Sequence, residues 1–351
     1  MADKAPGGHL AGRMAEIGPF HVMELLGRAR ALEAQGRSIV HMEIGEPDFT
    51  TPEPVVAAAQ RALAAGETHY TPALGLPALR EAIAGFYRQR YGATVAAERI
   101  VITPGASGAL LLALGVLLDR DDGLLLADPG YPCNRHFARF LEGRAQPVPV
   151  GPQTRYQLNA ELVAHRWDST TVAALVASPS NPTGTLVGAD ELRAMHAAVG
   201  ARGGRLIVDE IYHGLTYGEE AATAVALGDD VFVINSFSKY FCMTGWRLGW
   251  LVVPDAYLRE VEKLAQNLFI AAPTLAQHAA LAAFEPRTLA ILERRRGEFQ
   301  RRRDFLLPAL RGLGFDVPVE PRGAFYLYAD CTRHGADSAQ LAMDLLEPAG
   351  V

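Results

Sequence analysis

The hydrophobic pattern changes twice along the chain and predicts two kinds of structure. Toward both ends, apolar residues recur at helical spacing, in segments 21–35, 76–87 and 286–311. From residue 99 onward, short apolar runs alternate with helical segments such as 107–118 and 189–201. These runs are Ile100–Thr103, Gly123–Ala127, Val172–Ala177, Arg205–Asp209 and Val231–Asn235. Strands that are apolar throughout and alternate with helices predict a mostly parallel sheet covered on both faces.

The flanking segments predict a second, smaller lobe. Short strands are expected at Ser38–Ile44 and Ala324–Ala329, and a final helix is expected from about Ser338. A chain of 351 residues is long enough for two lobes. We therefore expect an N-terminal arm with part of the small domain in residues 1–47, a large domain in 48–262 and the rest of the small domain in 263–351.

Composition excludes several classes of protein. Hydrophobic residues make up 49% and charged residues 21%, which is typical of a soluble globular protein. The net charge of -6 provides no general attraction to nucleic acid or to an anionic membrane. The three cysteines form no C-x-x-C pair and no cluster with histidine, so we expect reduced thiols, no metal site and a cytoplasmic location. The N-terminus has no signal-peptide pattern, and no apolar run is long enough to cross a bilayer.

Lys239 is the first candidate for chemistry. It is one of only three lysines, although lysine and arginine together number 33. A guanidinium stays protonated, whereas a lysine amine in a low-dielectric site can lose its proton and attack a carbonyl. Ser236, Ser238 and Arg247 lie close to it in sequence and are suited to binding a phosphate. A lone lysine is usually a solvated loop residue, but with these neighbours it indicates pyridoxal phosphate.

Two glycine-containing clusters follow predicted strands and are candidates for cofactor contacts. In TPGASG (103–108), free backbone N–H groups at a helix N-terminus and a serine hydroxyl would form a phosphate cradle. The same residues also occur in ordinary turns and helix caps. In DPGYP (128–132), Tyr131 could lie flat on an aromatic cofactor ring or be a buried core tyrosine.

Two further clusters carry polar groups at the ends of strands, where ligands of parallel sheets gather. The turn SPSNPTG (178–184) would hold the Asn181 amide at a strand tip. Asp209 ends an apolar strand, where a carboxylate is costly to desolvate unless it meets a positive charge. A protonated pyridine nitrogen would supply that charge, and a structural salt bridge is the alternative. Tyr212 could donate its hydroxyl to the ring's phenolate oxygen and so lower the pKa of the imine.

Together these motifs resemble the class I and II aminotransferases, the aspartate-aminotransferase-like group of fold-type I pyridoxal-phosphate enzymes. The resemblance runs from Gly45 to Tyr328 in the family's order: HYTPALGLPALR, TPGASGAL, DPGYP, SPSNPTG, VDEIY, SFSKYFCMTGWRLGW and GAFYLY. It implies an α/β fold with a mostly parallel seven-stranded sheet flanked by helices, plus a smaller α+β domain built from both termini. It also implies ping-pong transfer of an amino group between an α-amino acid and a 2-oxo acid.

The resemblance further implies a role for each matching residue. Lys239 would carry the internal aldimine and then move a proton between the substrate Cα and the cofactor. Asp209 would pair with the pyridine nitrogen, while Tyr212 and Asn181 would bind the ring hydroxyl oxygen and Tyr131 would stack on the ring. The cofactor phosphate would be held by Gly105, Ala106, Ser107, Ser236, Ser238 and Arg247.

The remaining implied roles concern the substrate and a second subunit. Gly45 and Asn181 would lie beside the substrate. Tyr70 would reach the phosphate of a neighbouring subunit, which implies a homodimer with shared sites.

One departure from the family pattern leaves alternatives open. Family chains usually continue to an arginine that binds the substrate α-carboxylate through two parallel hydrogen bonds. No residue before Val351 matches it, and Arg322 is near in sequence without being assigned the role. We therefore expect a truncated small domain. The alternatives are a pyridoxal-phosphate-dependent C–S lyase or β-eliminating enzyme, and a truncated protein that binds the cofactor without catalysis.

Overall fold

The structure is a computed structural model that describes residues 9–351. The first eight residues of the predicted N-terminal arm, Lys4 among them, lie outside the described residues. The strands are β1 (Ile100–Thr103), β2 (Gly123–Asp128), β3 (Arg144–Pro149), β4 (Thr171–Ala177), β5 (Arg205–Asp209), β6 (Phe232–Ser236) and β7 (Gly249–Val252). The helices are α1 (His21–Glu33), α2 (Glu53–Ala64), α3 (Pro77–Tyr91), α4 (Gly105–Leu117), α5 (Cys133–Phe140), α6 (Ala160–Arg166), α7 (Ala189–Gly200), α8 (Asp255–Leu268), α9 (Thr274–Leu281), α10 (Pro286–Gly312) and α11 (Ser338–Asp344). None of the helices described here has the length and apolarity needed to cross a membrane.

All seven strands form one sheet in the order β1-β7-β6-β5-β4-β2-β3. The pairs β2–β3, β2–β4, β4–β5 and β5–β6 are parallel, whereas β7 runs antiparallel to both of its neighbours. The predicted fold class, a mostly parallel seven-stranded sheet with flanking helices, is confirmed.

Both faces of the sheet are buried, which explains why its central strands are apolar throughout. In β5, Leu206 and Val208 pack into one core and Ile207 packs into the other. The first core is completed by residues of α2, α3, α7, α9 and α10, and the second by residues of α4, α5 and α8. Because side chains alternate along a strand, each strand contributes to both cores.

Strand register sets which polar residues meet at the carboxyl edge of the sheet. Asp209 is paired with Ala177 of β4 on one side and with Ile234 of β6 on the other. Gly249 is paired with both Ser236 and Thr103. The segments that follow β1, β4, β5 and β6 therefore start from one edge.

Two of the predicted strands are wrong. Segment 38–44 is irregular, and one backbone bond, from Val40 N–H to Gly350 O (2.8 Å), links it to the C-terminal segment. Segment 324–329 is also irregular, because Ala324 has a left-handed backbone (φ 57°) that breaks an extended run. Isolated bridges at Gly323 and Asp330 flank it. In both cases the residue pattern fits a strand, but the described chain supplies no continuous partner.

Two real strands lie outside the five apolar runs. β3 (RAQPVP) is an edge strand with two prolines and only one buried residue, Val148, so a search for continuous apolar runs passes over it. β7 (GWLV) is four residues long and directly follows the TGWRLG segment. The division into domains at residues 47 and 262 stays a prediction.

Candidate active site

The Lys239 side chain is largely buried just after β6. Its Nζ donates a hydrogen bond to the backbone oxygen of Gly45 at 2.6 Å and lies 6.0 Å from the centre of the Tyr212 ring. Burial lowers the pKa of the amine to about 8, and the nearby Arg247 lowers it further, against the opposing effects of Glu46 and Asp209. A substantial fraction of this amine is therefore neutral near pH 8 and able to act as a nucleophile.

Asp209 is a buried carboxylate with few partners. It is 6% exposed, and its Oδ1 accepts one hydrogen bond, from the backbone N–H of Ile211 at 3.0 Å. Burial raises its pKa to about 6, while the Ile211 N–H and the Lys239 amine act in the opposite direction. A cationic donor at this point would remove most of the desolvation cost.

Three polar side chains meet beside Lys239. The Tyr212 hydroxyl lies 2.6 Å from the hydroxyl of Tyr326, and Asn181 Nδ2 donates to the Tyr326 oxygen at 3.3 Å. Tyr212 and Asn181 are expected here from the sequence, whereas Tyr326, which lies within the GAFYLY motif, is not. The structure thus adds one hydroxyl to the predicted pair.

Gly45 fits this cluster because it has no side chain. A Cβ atom at Gly45 would lie 2.2 Å from the Tyr326 hydroxyl oxygen, well inside van der Waals contact. The carbonyl of Gly45 accepts the hydrogen bond from Lys239. The residue thus contacts both Lys239 and Tyr326.

A potential anion site lies where α4 begins. Gly105 has φ +70°, and a Cβ there would come within 2.8 Å of Arg247 Nη2. No side chain caps this helix end, which leaves the backbone N–H groups of its first turn, those of Ala106 and Ser107 among them, to other partners. Backbone N–H groups and a guanidinium facing one space are suited to a phosphate.

The two predicted serines lie at the neighbouring strand end. Ser236 Oγ donates to Leu248 O at 3.0 Å and lies 3.0 Å from Ser238 Oγ. Gly249, paired with Ser236, leaves no room for a side chain, since a Cβ would lie 2.9 Å from the backbone nitrogen of Ala106. Both serines are thereby brought next to the start of α4.

Tyr131 and Asn181 line one cavity at the carboxyl edge of the sheet, together with Gly130, Ser180 and the buried Asn134. The Tyr131 ring packs edge-on against Phe20, with 6.1 Å between ring centres. Burial raises the pKa of the Tyr131 hydroxyl, and Cys133 beside it raises it further. Tyr131 thus follows the same edge of the sheet as Asp209 and Tyr212.

Tyr70 is the predicted site residue that stands apart. Its side chain is 80% exposed and makes no hydrogen bond within residues 9–351. Its loop is held in place by Thr274, which donates to His69 O at 2.8 Å, and by Gln277, which donates to Thr71 at 2.9 Å. The described chain offers Tyr70 no role of its own.

Comparison with known proteins decides the family. Residues 37–351 match the model of aminotransferase class I and II. The valine–pyruvate aminotransferase of Mycobacterium tuberculosis is 41% identical over 339 residues, which are 96% of this chain and 87% of that protein. The chain belongs to the class I and II aminotransferases.

Solved structures of aminotransferases agree with this assignment. An aminotransferase from Mycobacterium tuberculosis superposes with a TM-score of 0.94 at 41% identity, covering 98% of this chain and 89% of that one. The aspartate aminotransferase of Thermus thermophilus with maleate superposes with a TM-score of 0.92 at 33% identity, covering 97% and 90%. The chain is a pyridoxal-phosphate-dependent aminotransferase, and its substrates are amino acids and 2-oxo acids.

The residues of this aminotransferase fit pyridoxal phosphate. Asp209 is a buried carboxylate that lacks a cationic partner of its own, and a protonated pyridine nitrogen would be one. The uncapped start of α4, with Arg247 against Gly105, is suited to the phosphate group. The charges of both Asp209 and Arg247 act on Lys239, whose amine pKa is low enough for attack on an aldehyde.

Proposed function

We propose that this aminotransferase uses Lys239 as the point of cofactor attachment and as the proton carrier of the reaction. The observation that carries this proposal is the environment of its Nζ. That atom lies in a largely buried side chain, is bonded to the Gly45 carbonyl at 2.6 Å and is close to Tyr212 and Asp209. Lys263, by comparison, is an exposed helix residue paired with Glu260.

The cofactor supplies an electron-poor ring that stabilises negative charge at the substrate Cα. In this proposal Asp209 keeps the ring nitrogen protonated, because a buried carboxylate favours a cation beside it. Tyr212 and Asn181 bind the ring hydroxyl oxygen, and Tyr131 covers one face of the ring. The phosphate is held by the backbone of Gly105, Ala106 and Ser107. The side chains of Ser236, Ser238 and Arg247 also bind it.

Lys239 has a second task once the substrate amine has displaced it. Its amine, about half neutral at pH 8 and mostly neutral above it, accepts the proton from the substrate Cα. The Gly45 carbonyl, an acceptor 2.6 Å from Nζ, keeps the freed amine within the site. Holding the base close to the substrate Cα speeds the proton transfer, because the base no longer has to find a reactive orientation.

For the substrates, we propose an α-amino acid as donor and pyruvate or 2-oxoglutarate as acceptor, in a ping-pong sequence. Support for pyruvate comes from the Mycobacterium tuberculosis relative, whose name specifies valine and pyruvate. Gly45 and Asn181 would lie beside the bound amino acid. Arg322 is not assigned to the substrate carboxylate: its side chain is exposed, 4.0 Å from Glu320.

We further propose a cytoplasmic homodimer in which Tyr70 completes the partner's site. Tyr70 is exposed, and Leu268 and Ile270, which precede the Thr274 that bonds to the Tyr70 loop, are exposed at about half of their full area. Such a group fits an interface better than a solvated surface. The three free cysteines, Cys133, Cys242 and Cys331, agree with a reducing compartment.

A single half-reaction tests the proposal. The cofactor-loaded protein is mixed with one amino acid at a time and no acceptor, and the visible absorbance of the bound cofactor is followed. We expect loss of the visible band with release of the matching 2-oxo acid, and recovery of the band when pyruvate is added. Release of ammonia and pyruvate from cystathionine, with no such band change for any of the twenty amino acids, would contradict transamination in favour of elimination.

A further inference from the structure

Tyr326 lies where three segments of the proposed site meet. Its hydroxyl is 2.6 Å from that of Tyr212 and 3.3 Å from Asn181 Nδ2, the two groups assigned to the ring hydroxyl oxygen. The Tyr326 and Tyr212 rings also pack edge-on, with 5.6 Å between their centres. In the described part of the chain, no other hydroxyl bonds to both of these groups.

The backbone around Tyr326 holds its hydroxyl in this place. The N–H groups of Arg322 and Gly323 both donate to the oxygen of Gly184 at 2.9 Å, which ties the segment to the SPSNPTG turn. A Cβ at Gly184 would lie 2.5 Å from Pro321 and 2.7 Å from the oxygen of Gly323. Tyr326 is therefore held by the same turn that carries Asn181.

Which groups can donate a hydrogen sets the direction of the hydrogen bonds that Tyr326 makes with Asn181 and Tyr212. The Asn181 amide nitrogen can only donate, so the Tyr326 oxygen accepts from it. A phenolate oxygen on the cofactor can only accept, so it takes the hydroxyl hydrogen of Tyr212. The hydrogen of Tyr326 then points to the Tyr212 oxygen. The chain of donation runs from Asn181 to Tyr326, to Tyr212 and to the ring oxygen.

We propose that Tyr326 is a positioning residue that strengthens Tyr212 as a hydrogen-bond donor to the ring oxygen of the cofactor. This inference rests on the role proposed above for Tyr212. Hydrogen bonds in a chain polarise one another, by about 10–30% per bond. Burial raises the pKa of Tyr326 to about 12, so its hydroxyl keeps its proton, and can donate, across the working pH range.

The test removes one hydroxyl and follows the pH titration of the bound cofactor's visible absorbance. In Tyr326→Phe, Tyr212 becomes a weaker donor, more negative charge stays on the ring oxygen, and the proton shared with the Lys239 nitrogen is held more tightly. We expect the pH midpoint to rise by about 0.4 to 1 unit. Tyr328→Phe is the matched control: Tyr328 is 37% exposed, its hydroxyl has no hydrogen bond within residues 9–351, and the midpoint should not move.

Tyr212→Phe separates this inference from the proposed function. We expect it to raise the midpoint more than Tyr326→Phe does, and the double variant to match Tyr212→Phe alone, since Tyr326 acts through Tyr212. An unchanged midpoint in Tyr212→Phe would mean that the role proposed for Tyr212 is wrong. A shift in Tyr212→Phe with none in Tyr326→Phe, or additive shifts in the double variant, would overturn the inference alone.

A second substitution covers the case in which Tyr326→Phe does not fold or does not hold the cofactor. Replacing Tyr326 by 3-fluorotyrosine keeps the ring and the hydroxyl but makes the hydroxyl a stronger donor. The midpoint should then fall below that of the unmodified protein. A midpoint that stays the same or rises would overturn the proposal.

Discussion

Asp209 and Glu210 are neighbours at the end of β5, yet their surroundings differ. Both are buried, but Glu210 accepts hydrogen bonds from the Thr223 hydroxyl (3.0 Å to each oxygen) and from Ala224 N–H (2.6 Å), whereas Asp209 accepts one, from Ile211 N–H. Burial raises the pKa of Glu210 to about 8 and that of Asp209 to about 6. At pH 7 Glu210 is therefore neutral and bonded within the chain, while Asp209 is mostly charged and short of partners.

Two arginines also differ in their surroundings, because Arg99 is buried and Arg247 is exposed. Arg99 is buried, donates to Val253 O at 2.9 Å and is paired with Asp229. Arg247 donates to Thr244 O at 2.9 Å, and its Nη2 lies against Gly105 at the start of α4. Buried polar groups in folded proteins are normally bonded, so a buried carboxylate with a single hydrogen-bond partner, such as Asp209, marks a place where a ligand can bind. Arg247 is exposed, and its guanidinium lies beside the first turn of α4, where an anion can reach it.

The largest expected effect comes from Asp209→Asn. An amide cannot hold the ring nitrogen protonated, so we expect the half-reaction with amino acid to slow by about 10² to 10³. The same change should stabilise the cofactor-free protein. Because the folded pKa of Asp209 is raised from 3.8 to about 6, stability is lost as the pH rises from about 4 to about 6, and that loss is complete at pH 7. At pH 7 the free energy of unfolding should increase by up to roughly 3 kcal/mol, measured by urea titration.

Glu210→Gln is the matched control for that variant. Since Glu210 is already neutral at pH 7, the amide should leave the half-reaction within a factor of about three. If Glu210→Gln slowed the half-reaction as much as Asp209→Asn, the proposal that only Asp209 acts on the cofactor would be wrong.

A smaller effect is expected from Arg247→Ala. The loss of charge-assisted hydrogen bonds to the phosphate should weaken cofactor binding by about 10- to 100-fold, measured as the dissociation constant. Arg322→Ala removes an exposed guanidinium near Glu320 and should leave that constant unchanged. Equal losses in the two variants would show that general charge, and not the cradle at α4, binds the phosphate.

The smallest effect concerns pH. With the amine pKa of Lys239 lowered to about 8, the neutral fraction rises about tenfold between pH 7 and pH 9, and covalent attachment of the cofactor should speed up accordingly. Stopped-flow absorbance after mixing cofactor-free protein with pyridoxal phosphate would follow it. A rate that continues to climb well above pH 9 would contradict the lowered pKa of Lys239 and indicate a solvated amine.

The sequence predicted some residues of the site but not Tyr326, and the difference depends on how each residue is brought to the site. Asp209, Tyr212 and Asn181 follow strands of one parallel sheet, and their meeting at one edge follows from the alternation of apolar runs and helices. Tyr326 belongs to a segment whose return to that edge depends on bonds with Gly184, which no local pattern encodes. The strand predicted at 324–329 failed for a similar reason, since backbone partners decide a strand as much as residue types do.

The most direct test of the account is to reduce the holoprotein with borohydride, digest it and locate the attached pyridoxyl group by mass spectrometry. The account predicts that the group is found on Lys239. A group found on Lys263 or Lys4, or a protein that yields no pyridoxyl peptide after loading with the cofactor, would contradict it.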